Sequence, residues 1–363
     1  MHALVIGGTG PTGPFVINGL VERGWDVTVL HSGRHEVDTI PGHLPHIHTN
    51  AFDIGAVASA LGGATFDAVF AMYGRLRDLA PYFAGRCGRF LSVGGVPVYA
   101  GFSHAAVWSP PGLPVPTRED APLAGPDEQD KVVKMVQTEE LVFEHHPTAS
   151  HYRYPRIYGP GQVVPREWSV VKRVLDGRRR MIVADGGLTL LTAAFAENAA
   201  HILLLGLDHE AASAGQAFNV TDEHVLSAGQ TIQAIAAGLD AEMELVSLPY
   251  SLATPAYPFI EKTPLHRVTS AEKIISSLGY RDRVGAVEAL GQTARWLVDH
   301  PVEAGSVTEA GLGDPFNYAA EDALIAAWED ACAKVEPAAA AAETGFVDRY
   351  ARDAVGAHLS LER

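Results

Sequence analysis

The chain has 363 residues, 47% of them apolar and 19% charged, which excludes wholesale disorder and suits one large α/β unit or two domains sharing a core. Lys and Arg number 27 against 43 Asp and Glu, and the formal net charge of −16 disfavours nucleic acid or an anionic membrane surface as the main partner. Two cysteines, Cys87 and Cys332, cannot build a disulfide framework, and no apolar run approaches the ~20 residues of a membrane-spanning helix. No charged stretch followed by an apolar one opens the chain, so a cytoplasmic location is expected, with a small molecule as partner.

Residues 3–6 (Ala3-Leu4-Val5-Ile6) form an apolar run halted by Gly7, the pattern of a strand buried on both faces. A helix is predicted over 13–23, carrying Phe15, Val16, Leu20 and Val21 and ended by Gly24, and a second strand over 27–30. Strand-like runs recur at 68–72 and 89–93, with helical or loop segments between them. This alternation predicts right-handed crossovers and an α/β fold with a doubly wound parallel sheet. Six prolines between 103 and 130 predict an irregular surface loop. Next comes a helix over 130–144, with Val132, Val133, Val136 and Leu141 as core positions, then a strand over 151–154 and the breaker Gly159-Pro160-Gly161. Helices are predicted at 165–177, 194–207, 227–238 and 284–299, and strands at 216–220 and 243–248. Beyond His300 polar turns lead to an Ala-rich helical tail that contains Pro337.

The most informative segment is Gly7-Gly8-Thr9-Gly10-Pro11-Thr12-Gly13, set between the first strand and the first helix. Its glycines permit a tight turn, close approach of backbone to a pyrophosphate, and close helix–strand packing, while the helix N-terminus offers N–H groups to phosphate. Gly7, Thr9, Gly10, Pro11, Thr12 and Gly13 are therefore candidate cofactor contacts. The second strand ends in His31-Ser32-Gly33-Arg34 with no acid before Glu36. An acid there would bind both ribose hydroxyls, whereas Ser32 and Arg34 can take a 2′-phosphate, so the expected cofactor is NADP(H). The alternative is that Arg34 is a solvated loop residue and Glu36 folds back into the acidic role. Asp53 follows the third strand position and is either a contact to the adenine amine or a helix N-cap.

Four segments resemble the extended short-chain dehydrogenase/reductase superfamily, in its NAD-dependent epimerase/dehydratase branch. They are the Gly7–Gly13 turn, Gly33-Arg34, Phe90-Leu91-Ser92-Val93-Gly94-Gly95 with Val98-Tyr99, and residues 153–162 with the run Tyr158-Gly159-Pro160-Gly161. The resemblance spans residues 1–300 and implies a Rossmann-type fold. It implies an NADP-binding domain over 1–160, to which segments near 190–220 return, and a smaller C-terminal substrate-binding region over 161–300. Residues 301–363 form a helical appendage, read as a packing or oligomer contact, with a homodimer as the candidate assembly.

The family's catalytic signature is a Ser/Thr near the end of the fourth sheet strand and a Tyr-x-x-x-Lys on the next helix. Gly94 and Gly95 stand at the first position; Lys134 has Asp130 four residues earlier, and a one-residue slip pairs Lys131 with Met135. Neither register restores the motif. Tyr99, Tyr73, Tyr154 and Tyr158 are candidate replacements for the proton donor, Tyr99 foremost, although such aromatics commonly pack. Lys134 is a candidate contact to ribose or substrate. Arg156 stands where family members commonly carry an Asn that meets substrate, and its guanidinium suits a carboxylate or phosphate. Arg166, Trp168, Lys172 and Arg173 are read as a mixed aromatic and basic cleft wall.

The 16 histidines, His43, His46, His48 and the His145-His146 pair among them, show no metal-ligand spacing, so no metal is expected. There is also no G-x-S-x-G elbow and no Walker A lysine. The resemblance thus implies an NADP(H)-dependent oxidoreductase or epimerase/dehydratase-like enzyme on a small polar metabolite, with a non-standard catalytic site. The alternative is a non-catalytic NADP(H)-binding sensor or regulator.

Overall fold

Strands whose side chains are buried on both faces belong in the interior of a parallel sheet, and Ala3, Leu4, Val5 and Ile6 are all fully buried. The computed structural model describes residues 1–34, 36–253 and 265–342. Residues 1–315 form one compact unit and 316–363 a second.

The first unit begins with β1 (His2–Ile6), α1 (Gly13–Glu22), β2 (Asp26–His31), β3 (His46–His48), α2 (Ile54–Leu61), β4 (Phe66–Ala71), α3 (Leu76–Phe83), β5 (Cys87–Gly95), α4 (Asp130–His145) and β6 (Ser150–Tyr154). It continues with β7 (Arg156–Tyr158), α5 (Trp168–Leu175), β8 (Arg180–Ala184), β9 (Ala193–Phe195), α6 (Ala196–Asp208), α7 (Glu210–Ser213) and β10 (Gln216–Asn219). The last elements are α8 (Ala228–Ala237), β11 (Glu244–Leu248), α9 (Glu272–Leu278), α10 (Ala286–Asp299) and α11 (Val307–Leu312). Seven strands form one parallel sheet in the order β3-β2-β1-β4-β5-β6-β10. The order reverses between β1 and β4, which opens a crevice at the C-terminal strand ends.

Strand alternation divides the core in two. Val5, Val29 and Phe70 face α1 and α6, where Val16, Ile17, Ile202 and Leu203 fill one layer. Leu4, Ile6, Val69 and Phe90 face the other way, onto Val57 of α2, Leu79 and Phe83 of α3, and Val142 of α4. Two small parallel pairs, β7 with β9 and β8 with β11, stand outside the large sheet. The second unit contains α12 (Tyr318–Ala341), whose N-terminus is capped by the Asn317 side chain accepting from Ala320 N at 3.2 Å, with Pro337 inside it.

Three details depart from the sequence expectations. The buried side of α4 is Val132, Val136, Glu139 and Val142, so Val133 and Leu141 are only half-buried and a carboxylate takes a core position. The proline-rich stretch is irregular as expected, yet it is no free surface loop. Leu113, Thr117 and Ala124 are buried, and bridges join Tyr99 to Leu123 and Thr117 to Thr269. The apolar run at 194–207 starts as β9 before it becomes α6. Among the described residues no helix is long and apolar enough to cross a membrane.

Candidate active site and cofactor turn

The chain leaves β1 at the point where the strand order reverses. Gly7 N donates to Leu30 O at 2.9 Å and Met72 N to Ile6 O at 3.1 Å, so the turn emerges between β2 and β4. Gly10 N then donates to Gly7 O at 3.3 Å and Gly13 N to Gly10 O at 3.0 Å. The glycines are needed for different reasons. Gly7 has φ +85°. A Cβ on Gly13 would lie 2.1 Å from the Gly8 carbonyl oxygen, whereas one on Gly10 would meet only Gly7 O at 3.8 Å. Gly13 thus serves internal packing, and Gly10 leaves an open approach to the backbone. Thr12 is buried at the head of α1, with Pro14 in its first turn. This open cradle at a helix N-terminus fits a dinucleotide pyrophosphate.

Ser32, Gly33 and Arg34 are exposed at the end of β2, and Arg34 N donates to Ser32 Oγ at 3.4 Å. Glu36 is turned toward histidines, with His48 Nε2 3.3 Å away. Asp53 accepts from Gly55 N at 3.0 Å and Ala56 N at 3.1 Å, which caps α2.

A cleft of about 810 Å³ opens beside the C-terminal end of β5 and is lined by Gly74, Gly94, Lys131, Lys134, Met135 and His151 among others. The Lys134 side chain is half exposed and its Nζ lies 2.5 Å from Asp130 Oδ2. The Met135 methyl packs so close to Gly95 that a Cβ there would approach it to 2.9 Å. Gly94 is the informative position. A Cβ on it would fall 2.3 Å from His151 Nε2, so the space a side chain would take is filled by imidazole.

His151 is almost fully buried and its Nδ1 lies 2.8 Å from Ser92 Oγ, while Nε2 lies 3.5 Å from Glu139 Oε2. Burial holds the imidazole down to about 4 and the neighbouring Arg153 also lowers it, against the opposing charge of Glu139. Arg153 forks onto Glu139 through Nε–Oε2 at 3.0 Å and Nη2–Oε1 at 2.6 Å. Burial alone would raise the Glu139 carboxyl, and the hydrogen bonds from Arg153 together with the charges of His151, Arg153 and Lys273 bring it below its ordinary value. Arg153 Nη1 also donates to Tyr99 Oη at 2.6 Å, and Tyr99 donates to Asn219 Oδ1 at 2.6 Å. Tyr99 is therefore an interior structural link, only 1% exposed, with its phenol pushed up to about 12 by burial. It does not reach the cleft lining.

Arg156 lies apart from Lys134. It lines a second, small cavity of about 30 Å³ with Tyr158 and Asp222, and its Nη1 is 2.5 Å from Oε1 of fully buried Glu167. Tyr158 donates to Asp222 Oδ2 at 2.8 Å, and burial raises that carboxyl to about 6. The expected aromatic and basic wall is not assembled as such. Trp168 and Arg173 are buried, Arg173 meeting Asp314 at 2.6 Å, and Lys172 pairs with Asp176 at 2.7 Å. Ser92, Glu139 and His151 were missed as a group. The available signal was a pair of glycines inside a strand, which marks close approach of another group.

Two outcomes follow from this geometry. Gly10→Ala should weaken dinucleotide binding with an unchanged melting transition, whereas Gly13→Val should lower the melting temperature as well, because its side chain meets Gly8 backbone. Equal melting of the two variants would contradict the assigned division of labour. Acid stability gives the second test. His151 is depressed to about 4 from 6.5, so its contribution is complete above pH 6.5 and lost as pH falls through 4. The loss amounts to about 3 kcal/mol. Urea unfolding at pH 7 and pH 4.5 should show this fall, and His151→Gln should flatten it; identical pH slopes would rule out a neutral buried imidazole.

The sequence matches no protein-family model and no curated protein, whereas the fold matches many solved structures. One is a UDP-galactose 4-epimerase, 15% identical over 83% of this chain and 100% of that one, with a TM-score of 0.62. Another is the Bordetella bronchiseptica enzyme WbmG in complex with NAD, 17% identical over 83% of this chain and 94% of that one, at 0.64. A third is the dTDP-glucose 4,6-dehydratase of Bacillus anthracis in complex with NAD, 13% identical over 82% and 97%, at 0.62. The chain carries the Rossmann-type fold of the NAD-dependent epimerases and dehydratases.

Proposed function

We propose that the chain is an NADP(H)-dependent oxidoreductase or epimerase/dehydratase-like enzyme acting on a small polar metabolite, with His151 handling the proton. The observation that carries this reading is the imidazole Nε2 standing where a Gly94 side chain would be, at the floor of the cleft. The glycine cradle fits a dinucleotide, and two of the similar structures hold NAD. Bound NADP(H) supplies or accepts a hydride. The preference for the 2′-phosphate rests on Ser32 and Arg34 at the end of β2, and on Glu36 being turned toward histidines.

The chain's own groups supply the rest. When Ser92 donates to Nδ1, the His151 proton resides on Nε2, beside Gly94 and the cleft. A neutral imidazole with its proton on Nε2 is a hydrogen-bond donor to a developing alkoxide, and Glu139, 3.5 Å from the same nitrogen, favours the tautomer that carries the proton there. Ser92 fixes the ring's orientation and tautomer. Lys131 and Lys134 on the rim add positive charge for an anionic group of the substrate, the half-exposed Lys134 remaining tied to Asp130. Arg156 holds Glu167 beside the smaller cavity and is a candidate specificity residue rather than a partner of Lys134.

NADPH should bind more tightly than NADH, and Arg34→Ala should narrow the gap by about 1–3 kcal/mol, the range for hydrogen bonds to charged groups. Fluorescence titration checks this, and equal affinities in the unaltered protein would end the NADP(H) assignment.

Turnover tests the site. His151→Gln should lower kcat by about 10²–10³ and leave NADPH affinity intact. Gly94→Ala, which displaces the same ring, should give a similar loss, and the double variant should be no worse than either single one. Lys134→Met should cost less than His151→Gln. Full activity in His151→Gln excludes the proposed role. Tight NADPH binding with no turnover on any carbonyl or sugar-nucleotide substrate would favour the non-catalytic sensor.

A further inference from the structure

His31 closes β2, and His46 and His48 stand at the two ends of β3. Parallel pairing sets Val29 opposite His46 and His31 opposite His48. Residues two apart share a face of a strand, so the three imidazoles converge there. Their ring centroids are 5.0, 4.8 and 6.2 Å apart, each pair edge-on. Glu36 returns from the loop after β2 to meet all three, at 3.9 Å from His31 Nε2, 3.7 Å from His46 Nδ1 and 3.3 Å from His48 Nε2. His31 Nε2 and His46 Nδ1 face each other at 2.9 Å. One ligand atom from each of the four residues lies within 4.8 Å of the others.

We propose that His31, Glu36, His46 and His48 form a binding site for a divalent d-block cation, with Zn²⁺ as the type. Two ring nitrogens that point at one another must share a single proton, and a carboxylate and a third imidazole converge on the same space. A cation satisfies all four at once. Zinc–nitrogen bonds of about 2.0–2.1 Å place the corners of a tetrahedron about 3.3 Å apart. The present separations of 2.9, 3.3, 3.7 and 3.9 Å bracket that figure, so small side-chain rotations complete the shell. Three nitrogens and one carboxylate select a borderline metal rather than Ca²⁺ or Mg²⁺, which take oxygen ligands.

One hydrogen bond must give way. Gly33 N donates to His31 Nδ1 at 3.3 Å, and a metal on Nε2 requires the proton on Nδ1. That bond is long, and Gly33 lies in an exposed left-handed turn with φ +74°, so its release costs little. Gly33 also makes room for the third ligand, because a Cβ there would come within 3.2 Å of the His48 ring. The cation would span the turn carrying Ser32 and Arg34 and fix it against the sheet edge.

The test uses the full chain without an affinity tag, stripped by chelator and titrated with ZnCl₂ by calorimetry and with CoCl₂ by visible absorption. One equivalent should bind, and the Co²⁺ adduct should show the intense visible bands of four-coordinate cobalt. The side chains of His48 and Glu36 are each 56% exposed, so His48→Ala and Glu36→Gln should fold normally. Each should weaken binding about tenfold or more, which is about 1.4 kcal/mol. His43→Ala, exposed and outside the cluster, should leave it unchanged. Substoichiometric or weak binding, a six-coordinate cobalt spectrum, or equal affinity in His48→Ala and Glu36→Gln would overturn the site and leave a proton-sharing cluster.

Discussion

The buried guanidinium of Arg153 is the contact on which the site depends. It projects from β6 and ties α4 through Glu139, the loop after β5 through Tyr99 and the Glu119 carbonyl, and, through Tyr99, Asn219 at the end of β10. Two ions taken out of water are tolerable only when both are paired and hydrogen-bonded, and removing one partner of such a pair costs about 3–5 kcal/mol. Here the fork is bidentate, and Nη1 finds two further acceptors. The same pair sets the electrostatics of His151. Residues 151 and 153 are two apart on one strand and so face α4 together, where Glu139 pulls the imidazole's proton affinity up and Arg153 pulls it down. Desolvation decides the balance in favour of the neutral ring.

Elements set by local pattern were legible in the sequence. The runs around residues 3–6, 27–30, 68–72 and 89–93 are mostly apolar and became sheet strands, and the glycines between 7 and 13 mark the turn from strand to helix. The N-cap alternative for Asp53 was equally readable, because capping involves only the next three residues. What escaped was non-local. His46-Ile47-His48 and Arg156-Ile157-Tyr158 are short and polar, and they become strands only because a neighbour supplies the hydrogen bonds. Tyr99 was read as a site residue from its place after β5, yet Arg153 draws it inside. The four metal-ligand candidates carry no spacing signal, since His31 and His48 meet through strand register alone.

A catalytic site that has merely decayed and one that has been rebuilt leave different traces. Loss of a hydroxyl at a strand end leaves a cavity, or apolar side chains close over it, because interiors do not tolerate voids. At Gly94 the space is instead taken by a titratable ring that has hydrogen-bonded support on one side and a carboxylate on the other. That arrangement carries a penalty. An imidazole held to about 4 by burial destabilises the fold in acid, and Gly94 gives up strand propensity to admit it. Met135 lays an apolar methyl against Gly95 on the other side of the cleft. A neutral buried imidazole beside an apolar wall, at the C-terminal edge of a parallel sheet, is the arrangement on which the proposed proton transfer rests. Gly94, His151 and Glu139 thus join β5, β6 and α4 in one arrangement, in which each position accounts for the next.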